Sequence, residues 1–181
     1  MQKYNLVAEN PESTVVSDYR AEYRTEKEYQ SEADLERAFI KLLTEQAYDY
    51  LPIHTETELI ANLRRQLEKL NHYTFTDAEW SRFFTGCLAN KNSGIVEKTA
   101  IIQEDHVQLL TRDDGTVKNI YLLDKVNIHN NSLQVINQYE VDGGMRSNRY
   151  DVTILVNGLP LVHIELKRRG VAVSYTHLTL P

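Results

Sequence analysis

The sequence predicts an α+β domain, in which N-terminal helices pack on a mixed, largely antiparallel β-sheet. Two observations support this fold class. Between about residues 31 and 90, apolar residues recur at helical spacing, and after about residue 100 they fall into short apolar segments bounded by turn residues. Of the 181 residues, 41% are hydrophobic and 25% are charged, which is ordinary for a globular protein with one core.

Composition and charge exclude several classes of protein. The sequence has no apolar run of the roughly 20 residues that a membrane helix needs, and its N-terminus lacks the apolar stretch of a signal peptide, so we expect a cytoplasmic protein with no membrane partner. The single cysteine, Cys87, cannot build a disulfide framework. The net charge of −6 argues against a generic basic nucleic-acid binder, although residues 145–170 carry 5 basic and 2 acidic groups.

Three helices follow a polar segment, residues 1–30, that we expect to be loosely structured. Ser31 and Asp34 have the spacing of a capping box, which predicts that a helix starts here. A second helix is predicted over about Thr57–Leu70. A third begins at a capping box of Thr76 and Glu79, and its aromatic residues at helical spacing indicate a buried face rather than a platform for stacking bases.

The second half of the chain predicts strands. Two of them flank an Asp-Asp-Gly turn at 113–115 and form a hairpin. A further strand ends at Gly143-Gly144, and two more are separated by Asn157-Gly158-Leu159-Pro160. The predicted strands are Val107–Leu110, Ile120–Leu123, Leu133–Val141, Tyr150–Val156 and Leu161–Leu166.

Three charged residues stand within or directly after the last two predicted strands, where the surrounding residues are apolar. They are Asp151 and, further on, Glu165 and Lys167. Charges in a buried sheet are costly unless they have partners or a metal ion. Two carboxylates and an ammonium suit Mg²⁺-dependent phosphodiester cleavage, because hard oxygen ligands bind Mg²⁺ and the ion activates water. The alternative is a cross-strand salt bridge, which the spacing alone would favour.

Alternation along the strands adds a geometric condition. Glu165 and Lys167 are two residues apart, so they share a face of a strand. In an antiparallel pair, the residue numbers of opposite residues add up to a constant, which we call the pairing sum. Asp151 lies on the same face as Glu165 and Lys167 only if this sum is even. We predict a three-residue loop, Val156-Asn157-Gly158, that pairs Leu155 with Leu159 and sets Asp151 opposite His163. Other loops or bulges with an even sum would serve equally. Val152, Ile164 and Leu166 are then expected on the opposite face.

The segment from Arg149 to Gly170, which includes NGLPL and ELKRRG, resembles the nuclease core of the motor/endonuclease (R) subunit of type I restriction-modification enzymes. That core belongs to the PD-(D/E)xK nuclease superfamily. The resemblance also covers YQSEADLE at 29–36, FTDAEW at 75–80 and GIVEKT at 94–99. It implies a restriction-endonuclease-like fold for residues 31–172 and an endonuclease that acts on double-stranded DNA.

The resemblance also implies roles for single residues. Asp151 and Glu165 would bind Mg²⁺, and Lys167 would assist the nucleophile. An acidic residue on the first helix would complete the metal site, with Glu32 the first candidate and Glu36 the second. The alternative for both is a solvated acid in the first turn of a helix. Arg149, Arg168 and Arg169 are candidates for contacts with DNA phosphates, which carry no base information.

The family implies more than this sequence contains. Its R subunits use ATP through helicase domains and assemble with methyltransferase and specificity subunits, whereas this sequence has no G-x-x-x-x-G-K-[ST] loop. Tyr150 replaces the proline of the superfamily motif, and the Gln-x-x-x-Tyr helix is absent. We expect residues 31–172 to be an incomplete nuclease domain without activity of its own, and residues 173–181 to be a non-native tail from a translated adapter. A non-catalytic docking or DNA-binding module and a stand-alone nuclease are the alternatives.

Two histidines are weaker candidates. By alternation, His163 lies on the face of Glu165 and could touch a metal ion, although a sheet histidine held by hydrogen bonds is the more common case. The segment His129-Asn130-Asn131 has no partner histidines at helical spacing, so we interpret it as a loop.

Overall fold

The computed structural model describes residues 5–9, 14–17, 31–90, 92–141 and 148–167, of which 5–9, 14–17, 140–141 and 148–149 are described by their main chain. It confirms the α+β class. The helices are α1 (Glu32–Glu45), α2 (Glu56–Asn71), α3 (Asp77–Phe83) and α4 (Ile95–Gln103), with a π-helical turn at Phe84–Leu88 and a 3₁₀ turn at Ile128–Asn130. The strands are β1 (Asn5–Glu9), β2 (Thr14–Ser17), β3 (Asp49–Tyr50), β4 (Val107–Thr111), β5 (Val117–Tyr121), β6 (Leu133–Val141), β7 (Asn148–Val156) and β8 (Leu159–Ile164).

Capping boxes define where the first three helices start. Ser31 and Asp34 cap α1, and Thr76 and Glu79 cap α3, as predicted. Helix α2 begins at Glu56 because Thr55 forms a capping box with Glu58, a signal that the sequence prediction of Thr57 as the first residue overlooked. Each box satisfies main-chain N–H groups that the first turn of a helix leaves without a partner.

The main sheet is mixed and has the strand order β3-β6-β7-β8. Strand β3 pairs parallel with β6, and the other neighbours pair antiparallel. The predicted hairpin around residues 113–115 also forms, but β4 and β5 make a separate two-stranded sheet instead of joining the main one.

Helices cover both faces of the main sheet. On one face, Leu43 of α1 packs with Val135 of β6 and Val152 of β7. On the other, Ile136 and Leu155 pack with residues that include Ile53 and, from α2, Leu59. The sheet is therefore the middle of three layers. Not every apolar residue of α1 contributes to this layer, because Leu42 is 54% exposed.

A third core joins the second sheet to the turn between β7 and β8. It contains Phe75, Trp80 and Phe83 around α3, which confirms that these aromatic residues are structural. Phe75, which precedes the N-cap, packs against Trp80 with ring centroids 5.4 Å apart, the contact of a hydrophobic staple. Cys87 packs on this core, and burial raises the pKa of its thiol to about 11.

The predicted loose segment of residues 1–30 contains an antiparallel pairing of β1 with β2 in the part that is described, which its polar composition did not predict. The glycines at 143–144 and the proposed tail at 173–181 lie outside the described residues. None of the described helices is long and apolar enough to cross a membrane.

Candidate functional site

The turn between β7 and β8 differs from the predicted three-residue loop. Asn157 and Gly158 form a two-residue turn in which Val156 pairs with Leu159, a sum of 315. Both turn residues have a positive φ, +51° and +81°, as a type I′ turn requires. Asn157 is buried and tied to the neighbouring loops, since its side chain accepts from the Ser132 N–H at 2.8 Å and donates to the Leu122 carbonyl at 3.0 Å.

A β-bulge then changes the register of the hairpin. Leu155 pairs with Pro160 but Ile154 pairs with Val162, so Leu161 is an extra residue on β8 and the sum becomes 316. Strand β8 lies at the edge of the described sheet, where a proline without an N–H is tolerated beside a bulge. The even sum that the site needs is therefore produced by a bulge rather than by the loop.

With this register, Thr153 rather than Asp151 is opposite His163, which corrects the predicted pairing. The ladder ends at Val152 and Ile164, so β8 stops two residues before the predicted end at Leu166, and Glu165 and Lys167 follow the strand. Continued by one step, the same register would set Asp151 across from Glu165. Val152, Ile164 and Leu166 pack together in the core beneath α1, so their predicted grouping on one face is confirmed.

The charged groups converge where the hairpin opens. The Asp151 carboxylate accepts a hydrogen bond from the Leu166 N–H at 2.7 Å. This N–H lies between Glu165 and Lys167 in the chain, and the Lys167 ammonium forms an ion pair with the Glu165 carboxylate. Side chains of Glu165 and Lys167 are 65% and 45% exposed. The three predicted residues thus lie together at a solvent-accessible end of the hairpin.

Electrostatics at this end keep the lysine charged. The hydrogen bond to Glu165 is the main cause that raises the pKa of Lys167 above its ordinary value, and the charges of Glu165, Glu32 and Asp151 add to it. Lys167 is consequently an ammonium at neutral pH, able to donate hydrogen bonds and to stabilise negative charge but not to act as a base.

The two candidate acids of α1 have different surroundings. Glu32 is exposed at the start of the helix, on the side from which its charge acts on Lys167. Glu36 is only 9% exposed, and its carboxylate accepts hydrogen bonds from the side-chain amides of Asn137 and Gln138 on β6. The alternative of a solvated first-turn acid is therefore wrong for Glu36.

His163 has structural partners. Its Nδ1 lies 2.9 Å from the Thr153 hydroxyl, and its ring stacks on that of Tyr150 with centroids 4.1 Å apart. Burial lowers the pKa of its imidazole. These contacts confirm the interpretation of His163 as a sheet histidine held by hydrogen bonds.

The remaining candidates are resolved only in part. His129 lies in the 3₁₀ turn, close to the predicted loop. Arg168 and Arg169 lie outside the described residues, as does the side chain of Arg149. Across the described residues, no group of three or more His, Cys, Asp or Glu side chains is arranged to hold a metal ion.

Sequence analysis missed two features beside the site. Leu161, the bulge residue, carried no signal except the neighbouring Pro160. Gln138 has a φ of +54° in the middle of β6, a conformation that side chains other than glycine rarely adopt in a strand. No pattern in the sequence marks Gln138 for this conformation.

A three-layer α+β domain whose edge hairpin ends in two carboxylates and an ammonium carries the groups that metal-dependent phosphodiester chemistry uses. Residues 29–177 match the family described as "Type I restriction enzyme R protein N terminus", and the chain belongs to this family. The match extends five residues into the segment that we predicted to be a non-native tail.

Curated relatives are endonuclease subunits of type I restriction enzymes. The chain is 48% identical over 168 residues to the EcoprrI endonuclease subunit of Escherichia coli, which covers 92% of this chain and 53% of that protein. It is 39% identical over 151 residues to the SsaAORF53P endonuclease subunit of Staphylococcus saprophyticus and 36% identical to the SauMSSORF170P subunit of Staphylococcus aureus. It spans 16% of the length of each staphylococcal protein.

Proposed function

We propose that this chain supplies the DNA-cleaving centre of a type I restriction endonuclease subunit. Asp151 and Glu165 bind Mg²⁺, and Lys167 assists the attack of water on the phosphodiester. The observation that carries the proposal is the hydrogen bond from the Leu166 N–H to the Asp151 carboxylate at 2.7 Å, because it brings both carboxylates and the ammonium to the same end of the hairpin.

The donor set fits Mg²⁺ rather than a softer metal. Carboxylate oxygens are hard ligands, and Mg²⁺ is commonly held by one or two of them while it keeps several waters. Cys87 packs in a different core, and His163 is engaged by Thr153 and Tyr150. When bound, the ion would lower the pKa of a bound water and offset charge on the phosphate.

Each residue then has a separate task. Asp151 and Glu165 hold the ion, and the main-chain contact to Leu166 orients the first of these carboxylates. The Lys167 ammonium donates to the water or to the non-bridging phosphate oxygens, a role that its raised pKa favours. Glu32 is a third acidic group near this end of the hairpin, since its charge contributes to the raised pKa of Lys167. We also propose that Glu32 binds the metal ion directly.

The wider activity is proposed from the family. In a longer R subunit, cleavage would be coupled to ATP-driven translocation by helicase domains, in a cytoplasmic complex with methyltransferase and specificity subunits on double-stranded DNA. This chain would contribute the metal centre, and Arg149, Arg168 and Arg169 would contact phosphates. ATP would bind only to domains that this sequence does not contain.

Metal binding by the chain tests the proposal against a non-catalytic docking module. We expect Mn²⁺, titrated by calorimetry as a probe for Mg²⁺, to bind the wild-type chain and to bind Asp151→Asn about 10–100-fold more weakly. Asp49→Asn is the matched control, because Asp49 is an exposed aspartate of the same sheet on β3. Equal affinity of all three proteins, with folding verified by circular dichroism, would contradict the proposed centre.

A further inference from the structure

Glu36 contacts two consecutive residues of β6. Its carboxylate accepts from Asn137 Nδ2 at 2.6 Å and also from Gln138 Nε2. Adjacent side chains of a regular strand point to opposite faces of the sheet, so one carboxylate cannot bind both without a change in the main chain. The left-handed φ of +54° at Gln138 is that change.

The left-handed residue lies across from the proposed metal ligand. The ladder pairs Asn137 with Val152 and Tyr139 with Tyr150, which leaves Gln138 opposite Asp151. Beyond it the alternation of β6 is altered, because Tyr139 joins the same core cluster as Ile136, three residues earlier. The left-handed residue therefore lies at the position where β7 presents Asp151.

We infer that Glu36 is a positioning residue for Asp151, a role that rests on the proposed function. By holding the amides of Asn137 and Gln138, Glu36 maintains the left-handed residue in β6. That conformation sets the local path of β7, from which the Asp151 carboxylate reaches the Leu166 N–H. Glu32, one helical turn earlier, is exposed and its charge acts on Lys167, whereas Glu36 is buried against β6.

Hydrogen exchange measured by NMR on the chain tests this inference without any metal. In Glu36→Gln, one amide of the pair loses its acceptor, and we expect exchange of the Leu166 N–H to accelerate at least about tenfold. Amides in the rest of the β7–β8 ladder should keep their exchange rates. Glu45→Gln is the control, because Glu45 is an exposed acid of the same helix paired with Lys41.

A second variant separates positioning from general stability. Glycine adopts positive φ readily, so Gln138→Gly should preserve the left-handed conformation without help from Glu36. We expect Glu36→Gln to weaken Mn²⁺ binding about 10–100-fold and the double variant Glu36→Gln/Gln138→Gly to recover most of that loss. Unchanged Leu166 exchange in Glu36→Gln would overturn the inference. Where Glu36→Gln weakens Mn²⁺ binding, failure of the glycine to restore that binding would overturn it as well.

The two proposals fail separately. Exchange at Leu166 needs no metal, so it decides the role of Glu36 even where Asp151→Asn leaves Mn²⁺ affinity unchanged. That last result would overturn the proposed function instead.

Discussion

The two ends of the β7–β8 hairpin are built for different purposes. At the turn, Asn157 and Leu159 are buried, and Gly158 lies so close to α2 that an added Cβ would stand 2.6 Å from Leu63 Cα. At the open end, Glu165 and Lys167 are largely exposed and pair with each other. The turn is therefore held by packing against α2, whereas the open end presents charged side chains to solvent.

The bulge at Leu161 separates these ends. The tight Asn-Gly turn imposes a pairing sum of 315 on the residues beside it, and the extra residue changes the sum to 316 before the charged groups are reached. The turn can therefore be optimised for packing against α2, while the register at Asp151 and Glu165 is set independently. Changes at one end should affect stability, and changes at the other should affect metal binding and cleavage.

The largest expected effect is at the open end. In a protein that carries this chain together with the helicase domains of an R subunit, Asp151→Ala or Glu165→Ala should reduce DNA cleavage below detection while ATP-driven translocation continues. The motor would lie in separate domains, so only the metal centre is lost. Parallel cleavage and translocation assays check this division, and equal loss of both activities in a folded variant would refute it.

Changes in length at the bulge should have asymmetric effects. Deletion of Leu161 removes the extra residue but leaves Ile154 opposite Val162, so we expect Mn²⁺ binding to survive. Insertion of one alanine after Leu161 leaves two extra residues in the bulge. If β8 shifts its pairing with β7 by one residue to accommodate them, Glu165 moves to the face of the sheet opposite Asp151. Calorimetric titration of both folded variants makes the comparison, and loss of binding in the deletion variant alone would show that the bulge has another role.

Gly158→Ala should reduce the free energy of unfolding by about 2–4 kcal/mol, because it combines strain at a φ of +81° with overpacking against α2. Gly115→Ala is a matched control. Gly115 has a φ of +80° but no atom within 4 Å of the added Cβ, so only the conformational cost of about 1–2 kcal/mol remains. Urea denaturation of both variants measures the difference, and equal losses would mean that the contact with Leu63 contributes nothing.

The smallest expected effect concerns acid stability and arises at the start of α3, where Glu79 belongs to the capping box. Hydrogen bonds from Tyr73 and the Thr76 N–H are the leading causes that lower the pKa of Glu79. Because the folded pKa lies below the unfolded one, this stabilisation is present above the ordinary pKa of 4.5 and is lost as the pH falls through the lowered value. Glu79→Gln should flatten the dependence of the melting temperature on pH in this range, and an unchanged slope would contradict the assignment.

Much of the fold could be predicted from local patterns. The capping boxes at Ser31 and Thr76 and the Asp-Asp-Gly hairpin are local signals, and local signals survive in the tertiary structure when packing agrees with them. The predicted start of α2, about Thr57, differs by one residue from the observed Glu56, which the Thr55 capping box explains. The pairing partners of β3 and the separation of β4–β5 from the main sheet depend on contacts between distant segments, which periodicity does not encode.

The sequence by itself determined which residues bear charge within apolar strands, and its resemblance to the R subunits indicated what Asp151, Glu165 and Lys167 would do. Tertiary structure decided how they meet. The bulge at Leu161 sets the register, and the buried Glu36 binds a left-handed Gln138 across from Asp151. The physical reason is that alternation allows a strand only two faces, and which face a residue occupies depends on every turn and bulge between it and its partner.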